Sequence, residues 1–190
     1  MATRVSAATE SSRESELALR IAAAPIDAEI RAVFLQVMDD AIARERPSRP
    51  RPRRPRGYAS VAVRDYLKIC HELGEVMGPT VDAGIARLYA RTATFLLDHP
   101  GARLFVSARD RDPFVLLGRL ERSRSMMASY GDWRVSGRRG DVVVSIANEW
   151  LWIESMWLSV IRSVFDACSV EGEVICESES PFAATVRVRW

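Results

Sequence analysis

The hydrophobic period of this chain changes near Tyr130, and that change limits the folds open to it more than any motif does. In "DWRVSGRRGDVVVSIANE" the apolar residues Trp133, Val135, Val142, Val144 and Ile146 sit on alternate positions either side of a turn near Gly137 to Gly140. A period of two marks half-buried strands, and the glycines between them mark a hairpin. A helical period returns from about Trp150 to Cys168. The last stretch, "GEVICESESPFAATVRVRW", alternates again: Ala184, Val186, Val188 and Trp190 against Thr185, Arg187 and Arg189. With a turn at Ser180-Pro181, Val174 and Cys176 face inward beside Val188 and Val186. Glu173 and Glu177 then lie outside near Arg189 and Arg187, where opposite charges favour the pairing. The expected order is ββαββ. A sheet with one apolar face needs a cover, so the residues before 130 must supply helices, and the fold class is α+β: N-terminal helices followed by an antiparallel ββαββ sheet.

Those earlier residues read as four or five helices. "SELALRIAAAP" is a short one ended by Pro25. Asp27 caps "DAEIRAVFLQVMDDAIAR", which places Ile30, Val33, Phe34, Val37, Met38 and Ile42 on one face. "SVAVRDYLKICHELGEVM" starts at Ser60 and stops at Gly78-Pro79, and "TVDAGIARLYARTATFLLDH" follows as one helix. Asp112 before Pro113 pairs a capping carboxylate with proline in the first turn, starting a helix that runs to about Tyr130.

At 190 residues and 48% hydrophobic content the chain suits one domain, here 17–190, behind a disordered tail, 1–16. No apolar run reaches the ~20 residues that span a bilayer. The first residues lack the apolar core of a secretory signal, and three cysteines show no CxxC spacing, so a reduced, cytoplasmic setting is expected. Residues 44–57 stand apart: seven of the thirteen residues 44–56 are arginine and four are proline. The segment carries +6 and the remaining chain −4, so basicity is not a property of the fold. The prolines forbid a continuous helix, which reads as a surface loop between helices. The alternative is nucleic-acid or anionic-surface binding through Arg49, Arg51, Arg53, Arg54 and Arg56, although no aromatic residue precedes Tyr58 for base stacking.

"APIDAEIRAVF", "YASVAVRDYLKI", "DPFVLLGRLERSRSMMASYGDWRV" and "ACSVEGEVICESESPFAATVRVRW" follow one another in that order. The order resembles a paralogous family of roughly 200-residue proteins of unassigned function abundant in myxobacteria. That resemblance covers about residues 17 to 190. The family in turn resembles a superfold shared by haem nitric-oxide-binding domains, vinyl-reductase small-ligand domains and TRAPP vesicle-tethering subunits. The superfold implies a binding or assembly module. Its haem-binding branch implies an axial histidine and a Tyr-x-Ser-x-Arg clamp. Tyr58-Ala59-Ser60 begins such a clamp, but Ala62 stands where arginine is required and Arg64 comes two residues late; His99 precedes Pro100 at a helix end.

The residues themselves assign no cofactor and no metal. Cys70 and His71 are adjacent and diverge by about 100° on a helix, so they cannot ligate together. Two histidines, no nucleophile elbow and no phosphate loop leave enzyme chemistry without a carrier. In "NEWLWIESMWLSVIRSVF", Trp150, Ile153, Trp157, Ile161 and Phe165 make one face, while Trp152, Met156, Ser159 and Ser163 make another. Trp152, Met156 and Trp157 are the candidates for a ligand pocket or a homodimer interface; the alternative is a helix buried on two sides. The expected function is a non-enzymatic ligand-binding or protein-interaction module in a regulatory or assembly role.

Overall fold

The computed structural model describes residues 16–49, 54–98 and 111–190. The expected tail therefore lies outside the described residues except for Glu16, and Arg51, Arg53 and His99 lie outside them entirely. The elements are α1 (16–23), β1 (Glu29–Arg31), α2 (Val33–Glu45), β2 (Ser60–Ala62), α3 (Val63–Met77), α4 (Val81–Tyr89), α5 (Thr92–Asp98) and α6 (Pro113–Met127). They continue with β3 (Asp132–Arg138), β4 (Asp141–Ala147), a π-helical turn (Ile153–Trp157), α7 (Leu158–Cys168), β5 (Glu173–Ser180) and β6 (Ala183–Arg189).

The main sheet is antiparallel with order β3-β4-β6-β5. Its register follows the alternation. Val142 faces Val188 and Val144 faces Val186 across β4 and β6, while Val174 and Cys176 face the same two valines from β5. Glu173 pairs with Arg189 as expected, but Glu177 stands opposite Thr185, and Arg187 faces Ile175. The inner face is dry: Val142, Val144, Val186 and Val188 are fully buried. α7 packs across it, and Trp190 meets Phe165 edge to face at 5.9 Å. Asp112 caps α6 as expected, accepting from the Phe114 amide at 2.9 Å.

Three expectations about the helices are corrected. The helix expected from Asp27 begins only at Val33, because residues 29–31 form β1 and pair with β2, which occupies the expected start of α3. Ile30 is buried, but as a strand residue held against β2 and bridged to Ala128. The helix expected over 80–99 is broken at Ala90 and Arg91 into α4 and α5. The Thr92 hydroxyl donates to the Tyr89 carbonyl (2.8 Å) at that break, and the Ala93 amide donates to Ser163 Oγ on α7 (3.0 Å). One local and one tertiary bond thus take up backbone groups at the break. The long helix after β4 starts as a π-helical turn, a feature that side-chain periodicity does not encode.

α3 and α4 meet backbone to backbone. A Cβ on Gly84 would lie 1.8 Å from the Gly74 carbonyl oxygen, so only glycine permits this approach. Between α2, α3 and α4 lies a buried polar cluster. The Tyr66 and Tyr89 hydroxyls bond to each other, and Cys70 Sγ sits 3.7 Å from the Tyr89 hydroxyl and 3.8 Å from Met38 Sδ. Burial pushes the Cys70 thiol from its ordinary 9.0 up to about 12. Burial, then the neighbours in the cluster, hold both phenols well above 10.0. The folded chain therefore keeps protons that the unfolded chain releases. Stability is expected to fall as pH rises from 9 towards 12, by about 1.4 kcal/mol per unit for the thiol alone. Urea midpoints at pH 8, 10 and 11 check this, with Cys70→Ala giving the shallower slope. A midpoint unchanged over that range would contradict the burial of the cluster.

Candidate functional site

The polar side chains with the most long-range bonds converge on the segment between β4 and the π-helical turn. Arg124, on α6, is 1% exposed and Glu149, just past β4, is fully buried. Arg124 donates to Glu149 Oε2 from Nη2 (2.9 Å) and Nε (3.2 Å), and Trp133 Nε1 donates to the same oxygen at 3.1 Å. The Leu151 amide donates to Glu149 Oε1 at 3.2 Å. Burial works against the Arg124 charge, but Glu149 and Tyr130 together outweigh it and hold the guanidinium above its ordinary pKa. The guanidinium lies over the rings of Tyr130 (4.5 Å) and Trp157 (5.3 Å). Gly131, at φ +83°, leaves room for the pair, since a Cβ there would stand 3.1 Å from Arg124 Nη2.

A second arginine grips the same segment from the other side. Arg20, on α1, is 5% exposed. Its Nη1 donates to the carbonyls of Trp150 (3.1 Å), Leu151 (3.0 Å) and Pro181 (3.2 Å), while Nε and Nη2 donate to Glu16 Oε1. Trp152 and Phe182 flank it with ring centroids at 5.3 and 5.8 Å. Residues 149–152 are thus fixed by two buried guanidiniums, and the Glu149 amide adds a bond to the Phe182 carbonyl at 3.0 Å.

Below this clamp opens a cavity of about 630 Å³. α1 contributes Glu16 and Arg20; α4 contributes Asp82, Ala83 and Ala86; the π-helical turn contributes Trp152 through Ser155; the β5–β6 hairpin closes it with Ser178, Ser180 and Pro181. The size falls within the range of small-molecule sites. Ser155 is 6% exposed, and its hydroxyl is buried with no hydrogen-bond partner. Such a group costs about 1–3 kcal/mol unless something satisfies it. No side chain caps the first turn of the helix at Trp152. A second hollow of about 520 Å³ lies beside Arg124 and Trp133, lined also by Glu121, Arg134, Glu179 and Thr185.

The candidate residues fall in different places. Trp152 lines the first cavity, whereas Met156 and Trp157 are fully buried; Trp157 meets Trp133 at 4.7 Å and Phe34 at 5.9 Å. The helix they share is buried on both faces, Ser159 and Ser163 included. In the Arg/Pro segment, Arg49 and Arg56 are exposed, while Arg54 is folded down to Asp39 at 3.4 Å with its side chain 12% exposed. That end of the loop packs on α2. Arg20, Arg124 and Glu149 are not recognisable in the sequence, because single long-range pairs leave no period; Ser155, Ser159 and Ser163, spaced every four residues on an apolar helix, are the readable signal.

No family model matches the chain, and no curated protein does either, so the resemblance to the myxobacterial family is unsupported. Solved structures do match. The H-NOX protein from K. algicida, in its unliganded Fe(II) form, superposes with a TM-score of 0.63 at 11% identity over 84% of this chain and 96% of that one. The H-NOX protein from S. oneidensis, in its Fe(II)NO form, gives 0.62 at 7% identity over 84% and 98%. At these identities the likeness defines the fold, and the wider superfold resemblance is the part of the reading it supports.

A haem requires a ligand set, and the described residues do not assemble one. His71, on α3, borders neither cavity; its Nδ1 lies 4.0 Å from Glu75. Neither cavity is lined by a histidine, cysteine or tyrosine. Tyr58 and Ser60 are exposed around β2, where Arg31 Nη1 donates to the Tyr58 carbonyl (3.1 Å) and to Ser60 Oγ (2.6 Å). The Arg64 guanidinium is spent on the Ala24 carbonyl, at 2.7 and 3.1 Å. Among the described residues no group of three or more His, Cys, Asp or Glu could hold a metal, and no helix is long and apolar enough to cross a membrane.

Proposed function

We propose that this protein is a non-enzymatic small-ligand-binding module that uses the cavity between α1, α4, the π-helical turn and the β5–β6 hairpin. One observation carries the reading: a cavity of about 630 Å³ is walled by residues 152–155, the segment that Arg20 and Glu149 hold in place. A bound molecule meets a wall that is fixed before it arrives. The reading agrees with the neighbours in fold, H-NOX proteins solved with Fe(II) alone and with Fe(II) and nitric oxide, but it takes no haem step from them.

Native mass spectrometry of the chain purified from its own host tests it. A bound small molecule is expected on the intact protein and absent from Ala86→Trp, whose side chain fills the cavity from the accessible face of α4. Identical spectra for the two, with no bound mass, count against the proposal.

A further inference from the structure

The outer face of the main sheet is exposed, and its charges follow a pattern. α7 packs on the inner face, whereas side chains that alternate outward, Arg134, Ser145, Ile175 and Arg187 among them, are open to solvent. The ladder pairings align these outward residues in rows across β3-β4-β6-β5. One row is Arg138, Asp141, Arg189, Glu173. Another, further along the same strands, is Arg134, Ser145, Thr185, Glu177. The signs run plus, minus, plus, minus in the first and plus, neutral, neutral, minus in the second. Each row is the opposite of itself read backwards.

A two-fold axis lying along the strands between β4 and β6 performs that reversal. It sets β3 of one copy over β5 of the other, arginines against glutamates. An axis across the strands would set β3 on β3 and β5 on β5, like charge on like, so the pattern selects one arrangement. The sheet edges offer less. Glu173, Glu177 and Glu179 would repel across a β5–β5 pair, and the β3 edge is partly taken, since the Val135 amide donates to Glu121 Oε2 at 3.0 Å. A second observation concerns the end charges. Arg189 already lies 3.7 Å from Asp141 in the middle of its row, but no ion pair or side-chain hydrogen bond joins Arg134, Arg138, Glu173 or Glu177 to another described residue. Asp132 and Glu179, at the far ends of β3 and β5, oppose the contact, although Asn148 and Thr185 donate to their carboxylates.

We propose that two copies of this chain pair through their outer sheet faces in a two-fold dimer, with Arg134 and Arg138 of each copy against Glu177 and Glu173 of the other. The helix that carries Met156 and Trp157 is buried and leaves the contact to the sheet. Strand length and spacing give a face of roughly 400 Å² per copy. A standard complex buries about 800 Å² per partner, so this dimer is weak, concentration-dependent and sensitive to salt. It is independent of the cavity, and its failure leaves the ligand reading untouched.

Sedimentation equilibrium of the full chain from micromolar to millimolar concentration tests this. A monomer–dimer equilibrium is expected at low salt, weakened several-fold at high salt. Arg134→Glu alone and Glu177→Arg alone should each weaken it by about tenfold or more, because like charges then meet twice in each dimer. Both side chains are exposed, so the melting temperature should not move. An equimolar mixture of the two variants should dimerise as the parent does, since every contact then joins opposite charges. The double variant should do the same. Within one chain the two residues stand three strands apart, about 14 Å, beyond the screening length at physiological salt, so the recovery reports a contact between copies. A monomer at every concentration overturns the proposal and leaves the face to solvent or to a different protein. A dimer that the single variants leave intact, or that the mixture fails to restore, overturns it as well and places the contact elsewhere on the molecule.

Discussion

Glu149→Gln is expected to lower the stability of the protein by about 3–5 kcal/mol, the cost of leaving one member of a buried ion pair without its counter-charge. Arg124 and Glu149 are 1% and 0% exposed at their side chains, so water cannot take over the lost charge. The amide has a single oxygen, so it accepts either from Leu151 or from Trp133 and Arg124 and sets its own N–H donors against the other side, and it leaves the guanidinium uncompensated between Tyr130 and Trp157. For a chain of this size such a loss corresponds to a fall of roughly 6–20 °C in melting temperature. The double variant Arg124→Met, Glu149→Gln should recover a large part of it, because the cost lies in the orphaned charge more than in the missing bond. Calorimetric melts of both variants check this. Equal destabilisation by the single and double changes would show that the hydrogen bonds, and not the charge, carry the effect.

Truncation after Thr185 should yield insoluble or molten protein. β6 is central: it pairs with β4 on one side and with β5 on the other. The deletion removes Val186 and Val188, both fully buried, and Trp190, which packs on Phe165. Large apolar side chains contribute about 1.5–3 kcal/mol each when buried. The sum approaches the whole net stability of a typical domain, about 5–15 kcal/mol. Loss of the near-ultraviolet circular dichroism signal and of cooperative melting is expected. A soluble truncation with native signal would contradict the register of the sheet.

How much of the fold and site is legible in the sequence depends on whether a feature repeats. The alternation of Val142, Val144, Val186 and Val188 repeats, so the sheet and most of its register can be read directly. The Asp112-Pro113 start is legible because capping is a local act. β1 and β2 are three residues each, too short for a period, and Ile30 fits the helical spacing of Val33 and Val37 equally well. The break at Ala90 depends on Ser163 reaching Ala93 across 70 residues. The site is visible through Trp152, which stands out by composition, and through serines spaced every four residues from Ser155. Its clamp is built from Arg20, Arg124 and Glu149, and the long-range bonds of the two arginines span 25 to 161 residues. The Arg/Pro segment draws attention by charge, yet Arg54 spends its charge on Asp39.

Amide chemical-shift mapping of the isotopically labelled full chain, titrated with a charged and a neutral four-carbon probe, n-butylamine and 1-butanol, tests the central claim most directly. If the cavity is the ligand site, shifts concentrate on residues 152–155, 82–86 and 178–181, led by Ser155. Shifts centred on Arg124, Gly131 and Thr185 at the second hollow, or no localised shifts with either probe, would contradict it.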